Sequence, residues 1–172
     1  MFQALKTKFK NVTTLKFLCE RAEIHALQDQ QREPGAEHLL LAALDLPDGT
    51  ARRAFEQAGV NPDDFRVAIE QQYADALCSI GLKAELPTDT SMSAASGVYR
   101  AEASGQQMMQ DLAQTREDHR PLLGAHVVAI AASMPHGVAA RALRALGVDS
   151  ATLKSRADAI AEASPPCRRV PT

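Results

Sequence analysis

Between about Val12 and Gln31 the apolar positions Leu15, Leu18, Cys19, Ala22 and Ala26 fall at i, i+3, i+4, i+7 and i+11. That spacing predicts one face of a helix of about five turns. After Pro34-Gly35 the rhythm changes. Glu37-His38-Leu39-Leu40-Leu41-Ala42-Ala43-Leu44 opens on polar residues and is then apolar on every side. A helix with no polar face has nothing to show to water, so it belongs in the middle of a bundle. Glu37 falls in its first turn, where a carboxylate complements the positive end of the dipole. Pro47-Asp48-Gly49 ends it. A short third helix buries Ala51, Ala54, Phe55 and Ala58 and stops at Gly59, a natural left-handed C-terminal residue. Asn61-Pro62 restarts the chain as N-cap and first helical residue. A fourth helix then buries Phe65, Ala68 or Ile69, Gln72 or Tyr73, Ala76 or Leu77, and Ile80.

The same plan returns 88 residues later. Ala125-His126-Val127-Val128-Ala129-Ile130-Ala131-Ala132 repeats the buried helix, and Ala36–Phe65 maps without a gap onto Gly124–Leu153. Nine of the thirty pairs are identical, among them His38/His126, Pro47/Pro135, Gly49/Gly137, Gly59/Gly147 and Val60/Val148. The matches fall on turn residues and helix faces, where a structural repeat must agree. The first helix of the second half, lined by Val98, Ala101, Gly105, Met108 and Leu112, is weakened by Gly105, which costs about 1 kcal/mol against Ala in a helix. Helices near Ala125–Ser133, Val138–Leu146 and Asp149–Ala163 follow, the last capped by Asp149. The expected architecture is all-α. A single domain over 1–172 holds two tandem four-helix repeats with pseudo-two-fold symmetry, repeat one at 12–80 and repeat two at 97–163. Between them, 81–96 reads as a linker, and 164–172, with its three prolines, as a mobile tail.

Composition narrows the class. Hydrophobic content is 45% but aromatic content only 4%, with no Trp, so the apolar mass is helix-forming Ala and Leu. A net charge of -2 offers no general attraction to nucleic acid or an anionic membrane. Three widely spaced cysteines, Cys19, Cys78 and Cys167, fit reduced thiols better than a disulfide framework or metal site. No apolar run reaches the roughly 20 residues of a membrane span, and the basic start lacks a signal-peptide core. A cytoplasmic, soluble protein is expected.

Pro34-Gly35-Ala36-Glu37-His38-Leu39-Leu40-Leu41, followed by Gly49-Thr50-Ala51 and Gly59-Val60, resembles the Clp N-terminal (Clp repeat) domain. Gly137-Val138-Ala139 and Gly147-Val148 carry the likeness into the second repeat. The resemblance implies a domain that receives substrates and adaptor proteins for ring-shaped unfoldases. In some members the Glu of each Glu-His pair helps bind phosphorylated arginine. Only Glu37 carries that feature over, since Ala125 has no carboxylate. No phosphate-cradling Gly-x-x-x-x-Gly-Lys-[Ser/Thr] sequence occurs, so the resemblance implies a free-standing receptor domain without the ATPase motor.

Adjacent Glu37 and His38 point about 100° apart on a helix and do not converge on one atom as metal ligands or an acid–base pair. His38 and His126 read as structural histidines at helix starts, and Gly59 and Gly147 as structural turns. His25, His119 and His136 share no metal spacing, and no Ser, Cys or Lys stands in a nucleophile motif. No cofactor, metal or catalysis is expected. Candidate partner contacts are Glu37 and three aromatics at or before helix starts, Phe2, Phe9 and Tyr99, which staple helix ends or form a protein-binding patch. The reading is a non-catalytic interaction module for a Clp-type unfoldase, adaptor or substrate, regulating or competing with a full-length Clp ATPase. A helix-turn-helix regulator is the alternative, through Ala54–Asn61 and Ala142–Asp149. Against it, Asp63, Asp64 and Glu70 face Arg66 alone in the first copy, and Lys154 and Arg156 make a thin footprint in the second.

Overall fold

In the computed structural model, residues 2–79, 81, 99–115 and 120–163 are described, with side chains from residue 7 onward. They form eight helices: α1 (Phe2–Gln28), α2 (Ala36–Leu44), α3 (Thr50–Gln57), α4 (Asp64–Ser79), α5 (Ala103–Thr115), α6 (Gly124–Ser133), α7 (Val138–Ala145) and α8 (Ser150–Ala163). No strand occurs among the described residues. The expected linker 82–96, Val98, Ile80 and the tail 164–172 lie outside them.

The two helices without a polar face are the centre. Every residue of α2 is buried, as are all of α6 except His126 and Ser133. They pack on each other, with α1 against α2 and α8 against α6. The short helices cross over: α3 packs on α8, and α7 on α4. These are the reciprocal pairs that a two-fold relation between the halves would generate. An 88-residue shift also relates single elements of the two halves. It carries α3 onto α7 end to end. It carries the turn bonds Gly59 N–H to Glu56 O and Val60 N–H to Phe55 O onto Gly147 to Arg144 and Val148 to Leu143, all at 3.0–3.2 Å. Gly59 and Gly147 both sit in the left-handed region, at φ 78° and 70°.

Each central helix is capped by the other half. The Ala36 N–H donates to Ser104 Oγ at 3.1 Å, while Gly124 N–H donates to Asp48 Oδ2 at 3.0 Å and Ala125 N–H to Thr50 Oγ1 at 2.9 Å. These bonds satisfy amides that a helix start leaves without internal partners. Gly105 has a reason beyond propensity. A Cβ there would stand 2.6 Å from the Pro34 carbonyl oxygen, so the close seating of α5 on the turn before α2 requires glycine.

Three sequence expectations need correction. The first helix begins at Phe2, well before Val12. Its early turns are held by Asn11, whose amide donates to Arg120 O at 3.2 Å and accepts from Leu122 N–H at 2.7 Å. The fourth helix does not bury Ala76 or Leu77; both are exposed. The 16-residue α4 is about 24 Å long, and its partner α7, with 8 residues, only about 12 Å, so the last turns of α4 outrun the core. Ala58 is only partly buried.

Candidate functional site

The chemistry-bearing side chains gather around the N-terminus of α2. His38 fixes its tautomer through its neighbours. The Gly35 backbone N–H can only donate, and it does so to Nδ1 at 2.9 Å. The proton therefore sits on Nε2, which donates to Asp29 Oδ2 at 3.1 Å. Arg66 from α4 donates to the other Asp29 oxygen at 2.9 Å. The same guanidinium lies 3.2 Å from His25 Nδ1, which must accept, leaving His25 Nε2–H to donate to Asp45 Oδ2 at 2.9 Å. Arg21 closes the chain with two bonds to that oxygen, at 3.0 and 2.5 Å. The result is a continuous network, Arg21–Asp45–His25–Arg66–Asp29–His38–Gly35, joining α1, both ends of α2 and α4. Two guanidinium charges face two carboxylate charges, so burial leaves no unbalanced ion. Burial alone would raise the Asp45 carboxyl, but the bonds from Arg21 and His25 outweigh it and hold it below the usual carboxylate range.

Glu37 belongs to a second, smaller cluster. Its side chain folds back over Gly35, where a Cβ would stand 2.8 Å from the Glu37 Cδ, and it accepts the Tyr73 hydroxyl at 2.9 Å. The Tyr73 ring lies against His38 with centroids 6.5 Å apart and planes 16° from parallel. His38 Nδ1 is 3.5 Å from Glu37 Oε1, but that nitrogen already accepts from Gly35, so this is proximity and not a hydrogen bond. Burial, and then the Glu37 charge, push the Tyr73 hydroxyl far above its ordinary range, so Tyr73 stays a donor. Burial and Glu37 likewise raise the nearby Glu102 carboxyl.

The sequence-predicted contacts are not brought together. Glu37 is 1% exposed, so the surface carboxylate expected there is an interior acceptor occupied by Tyr73. Ala125 is fully buried with its amide on Thr50, so a carboxylate placed there would enter the core and not a surface pocket. Phe2 opens α1, and its side chain is outside the described residues. Phe9 and Val12 stand on the open side of α1, 78% and 61% exposed. Tyr99 is half-buried before α5, beside a cleft shared with Glu33, Arg100 and Met109, and its buried hydroxyl has no hydrogen-bond partner among the described residues. Burial, then Cys19 and Glu23 of α1, push that hydroxyl up. Cys19 is ten residues beyond Phe9, so Phe9 and Tyr99 are separated by about 15 Å of helix. His126 Nδ1 lies 3.1 Å from Leu123 N and 3.3 Å from Leu123 O, at the same step as His38 on Gly35.

Sequence reasoning missed Asp29, Arg66, Tyr73, Asp45 and Arg21. Only His25 and Asp29, four apart at the end of an otherwise apolar stripe, hinted at a polar interior. Among the described residues no group of three His, Cys, Asp or Glu could hold a metal, and no helix is long and apolar enough to cross a membrane. Of the basic residues of the helix-turn-helix alternative, Arg66 pairs with Asp29 and Glu70 and Lys154 with Asp158 at 2.6 Å, while Arg156 is exposed.

Residues 13–110 match the Clp repeat (R) N-terminal domain family, 98 of 172 residues, and the chain belongs to that family. The match runs from α1 into α5, and no ATPase-domain family matches the chain. No curated protein matches it. Domains of this family bind substrates and adaptors and are not catalytic.

Proposed function

We propose that this chain is a polypeptide-receiving module of the Clp type that binds an adaptor or substrate. Supplied in trans, it competes with the corresponding domain of a full-length Clp ATPase. The carrying observation is the commitment of the titratable groups around α2. His38 and His25 have both ring nitrogens occupied, Asp29 and Asp45 are each shared between Arg and His, and burial, then Glu23 and Glu20, push the Cys19 thiol up to about 11. These groups bond one another across α1, α2 and α4, which supports a structural use of them and recognition by the surrounding surface. The exposed pair Phe9 and Val12 on α1 adds apolar surface that a partner could cover.

Within this reading Glu37 remains the one inherited charged contact, but a guanidinium reaches it only after Tyr73 gives up its bond. Titration of a phospho-arginine peptide separates the roles. Tyr73→Phe, which frees the carboxylate, should tighten binding, and Glu37→Gln should abolish it. Equal affinity in wild type and both variants would assign Glu37 to structure alone. The broader reading is tested by adding the pure domain to a Clp unfoldase working with its adaptor. Slowed adaptor-dependent unfolding is expected. No change at a large molar excess, or ATP hydrolysis by the pure domain that a point mutation in this chain abolishes, would overturn it.

A further inference from the structure

One nitrogen of the first-half network stands between two partners of opposite kind. His25, buried on α1, presents Nδ1 to Arg66 of α4 at 3.2 Å and to Gln28 Oε1 at 3.4 Å. A guanidinium can only donate, and an amide oxygen can only accept. A neutral ring, with its proton on Nε2 for Asp45, therefore bonds Arg66 and leaves the Gln28 oxygen without a bond from the ring. A ring protonated on both nitrogens bonds Gln28 and has nothing to offer Arg66. In either state Nε2–H donates to Asp45 at 2.9 Å, and two bonds from Arg21 fix that carboxylate. The ring is thus held at one end and able to exchange partners at the other. The gap-free register puts Ser133 opposite Asp45, so the second half has no carboxylate for the same purpose.

We propose that His25 is a proton-operated switch on the contact between α1 and α4. Neutral, it holds Arg66; protonated, it turns Nδ1–H to Gln28 and releases Arg66. The inference goes beyond the interaction-module reading and does not depend on it. Histidine is the side chain whose charge ordinarily changes near neutral pH. The charged groups around the ring come from each element packed there: Arg21 from α1, Asp29 from the turn after it, Asp45 from the end of α2, and Arg66 with Glu70 from α4. A further cation on the ring, 3.2 Å from Arg66, drives the guanidinium off Nδ1 toward Asp29 and Glu70. Gln28 is exposed, so its amide can turn onto the ring without disturbing the core. Arg66 and His38 share Asp29, and His38 accepts from Gly35 at the start of α2. The switch therefore acts on a tie that reaches the central helix.

The test is a pH titration of the full chain, followed by the NMR shifts of the histidine ring nitrogens and protons, with the exposed His136 as internal reference. Above its transition His25 should carry its proton on Nε2. Below it both ring nitrogens should be protonated, and the backbone amides of α4 around Arg66 should move with the His25 midpoint. Gln28→Ala removes the acceptor of the charged ring, so the His25 midpoint should fall. Arg66→Met removes the donor to the neutral ring together with a like charge, so the midpoint should rise. Each shift is expected to be about half a pH unit, the size of one modest hydrogen bond, with His136 unmoved. A neutral ring protonated on Nδ1 would overturn the proposal. So would α4 amides indifferent to the transition, or His25 midpoints that stay fixed or move the same way in the two variants. If Arg66→Met fails to fold, the wild-type tautomer and Gln28→Ala, a change at an exposed residue, decide.

Discussion

Replacing Asp29 by alanine tests whether the α2 network holds the first half together. Asp29 is 6% exposed at its side chain and accepts from two donors, His38 Nε2–H at 3.1 Å and Arg66 at 2.9 Å. Hydrogen bonds to a charged group contribute about 1.5–3 kcal/mol each. Removing one partner of a fully buried ion pair costs about 3–5 kcal/mol. Arg66 is 28% exposed and keeps its contacts with His25 and Glu70, so part of its charge rehydrates when Asp29 is lost. That places the expected loss near the lower bound, at about 3 kcal/mol. For a chain of this size each kcal/mol moves Tm by roughly 2–4 °C, so a fall of about 6–12 °C is expected. Urea unfolding followed by circular dichroism supplies the free energy, and Glu20→Ala, which removes the exposed partner of Lys16, serves as control. Asp29→Ala within about 0.5 kcal/mol of wild type, the range of surface substitutions, would show that the network is incidental to stability.

Other perturbations probe the fold at separate points. Leu40, fully buried in α2, should lose about 2–5 kcal/mol on truncation to alanine, and a urea midpoint equal to wild type would place it outside the core. Gly147→Ala forces a Cβ into the left-handed region at φ 70° and should cost about 1–2 kcal/mol, matched by Gly59→Ala at 78°; a neutral effect at either would mean the turn relaxes. Asp45 titrates below its ordinary value of 3.8, so the stability that its bonds confer is present above that pH and is lost as pH falls through the lowered folded value. Asp45→Asn should therefore be less stable than wild type at pH 7, the gap narrowing below about pH 4, and a pH-independent gap would contradict the linkage.

What could be read from the sequence was local or periodic. The all-round apolar runs at Glu37–Leu44 and Ala125–Ala132 announced the central helices because burial on every side leaves only one place for them. Gly59, Gly147 and Asp149 announced turns and a cap through geometry set within four residues; Thr152 N–H indeed donates to Asp149 at 2.8 Å. The polar interior was hidden because its partners meet only through packing. Tyr73 is 36 residues from Glu37, and Arg66 is 37 from Asp29. A glutamate in a first helical turn has the same local signature whether it faces water, a ligand or a buried phenol. The overextended N-terminus of α1 was hidden for the same reason, since Asn11 finds its partners 109 and 111 residues away.

The crossing of α3 onto α8 and of α4 onto α7 also sets an order of events during synthesis. When the ribosome has released the chain through Ser79, Phe55 and Phe65 have been made, but the helices completing their surroundings have not. At about 5–20 residues per second, the 78 residues from Ser79 to Ala157 take on the order of 4–16 s to follow. For that interval the newborn first half carries uncovered apolar faces and must be kept from its neighbours. A domain of a substrate-binding family thus presents, at its own birth, the uncovered apolar surface of an unfolded chain.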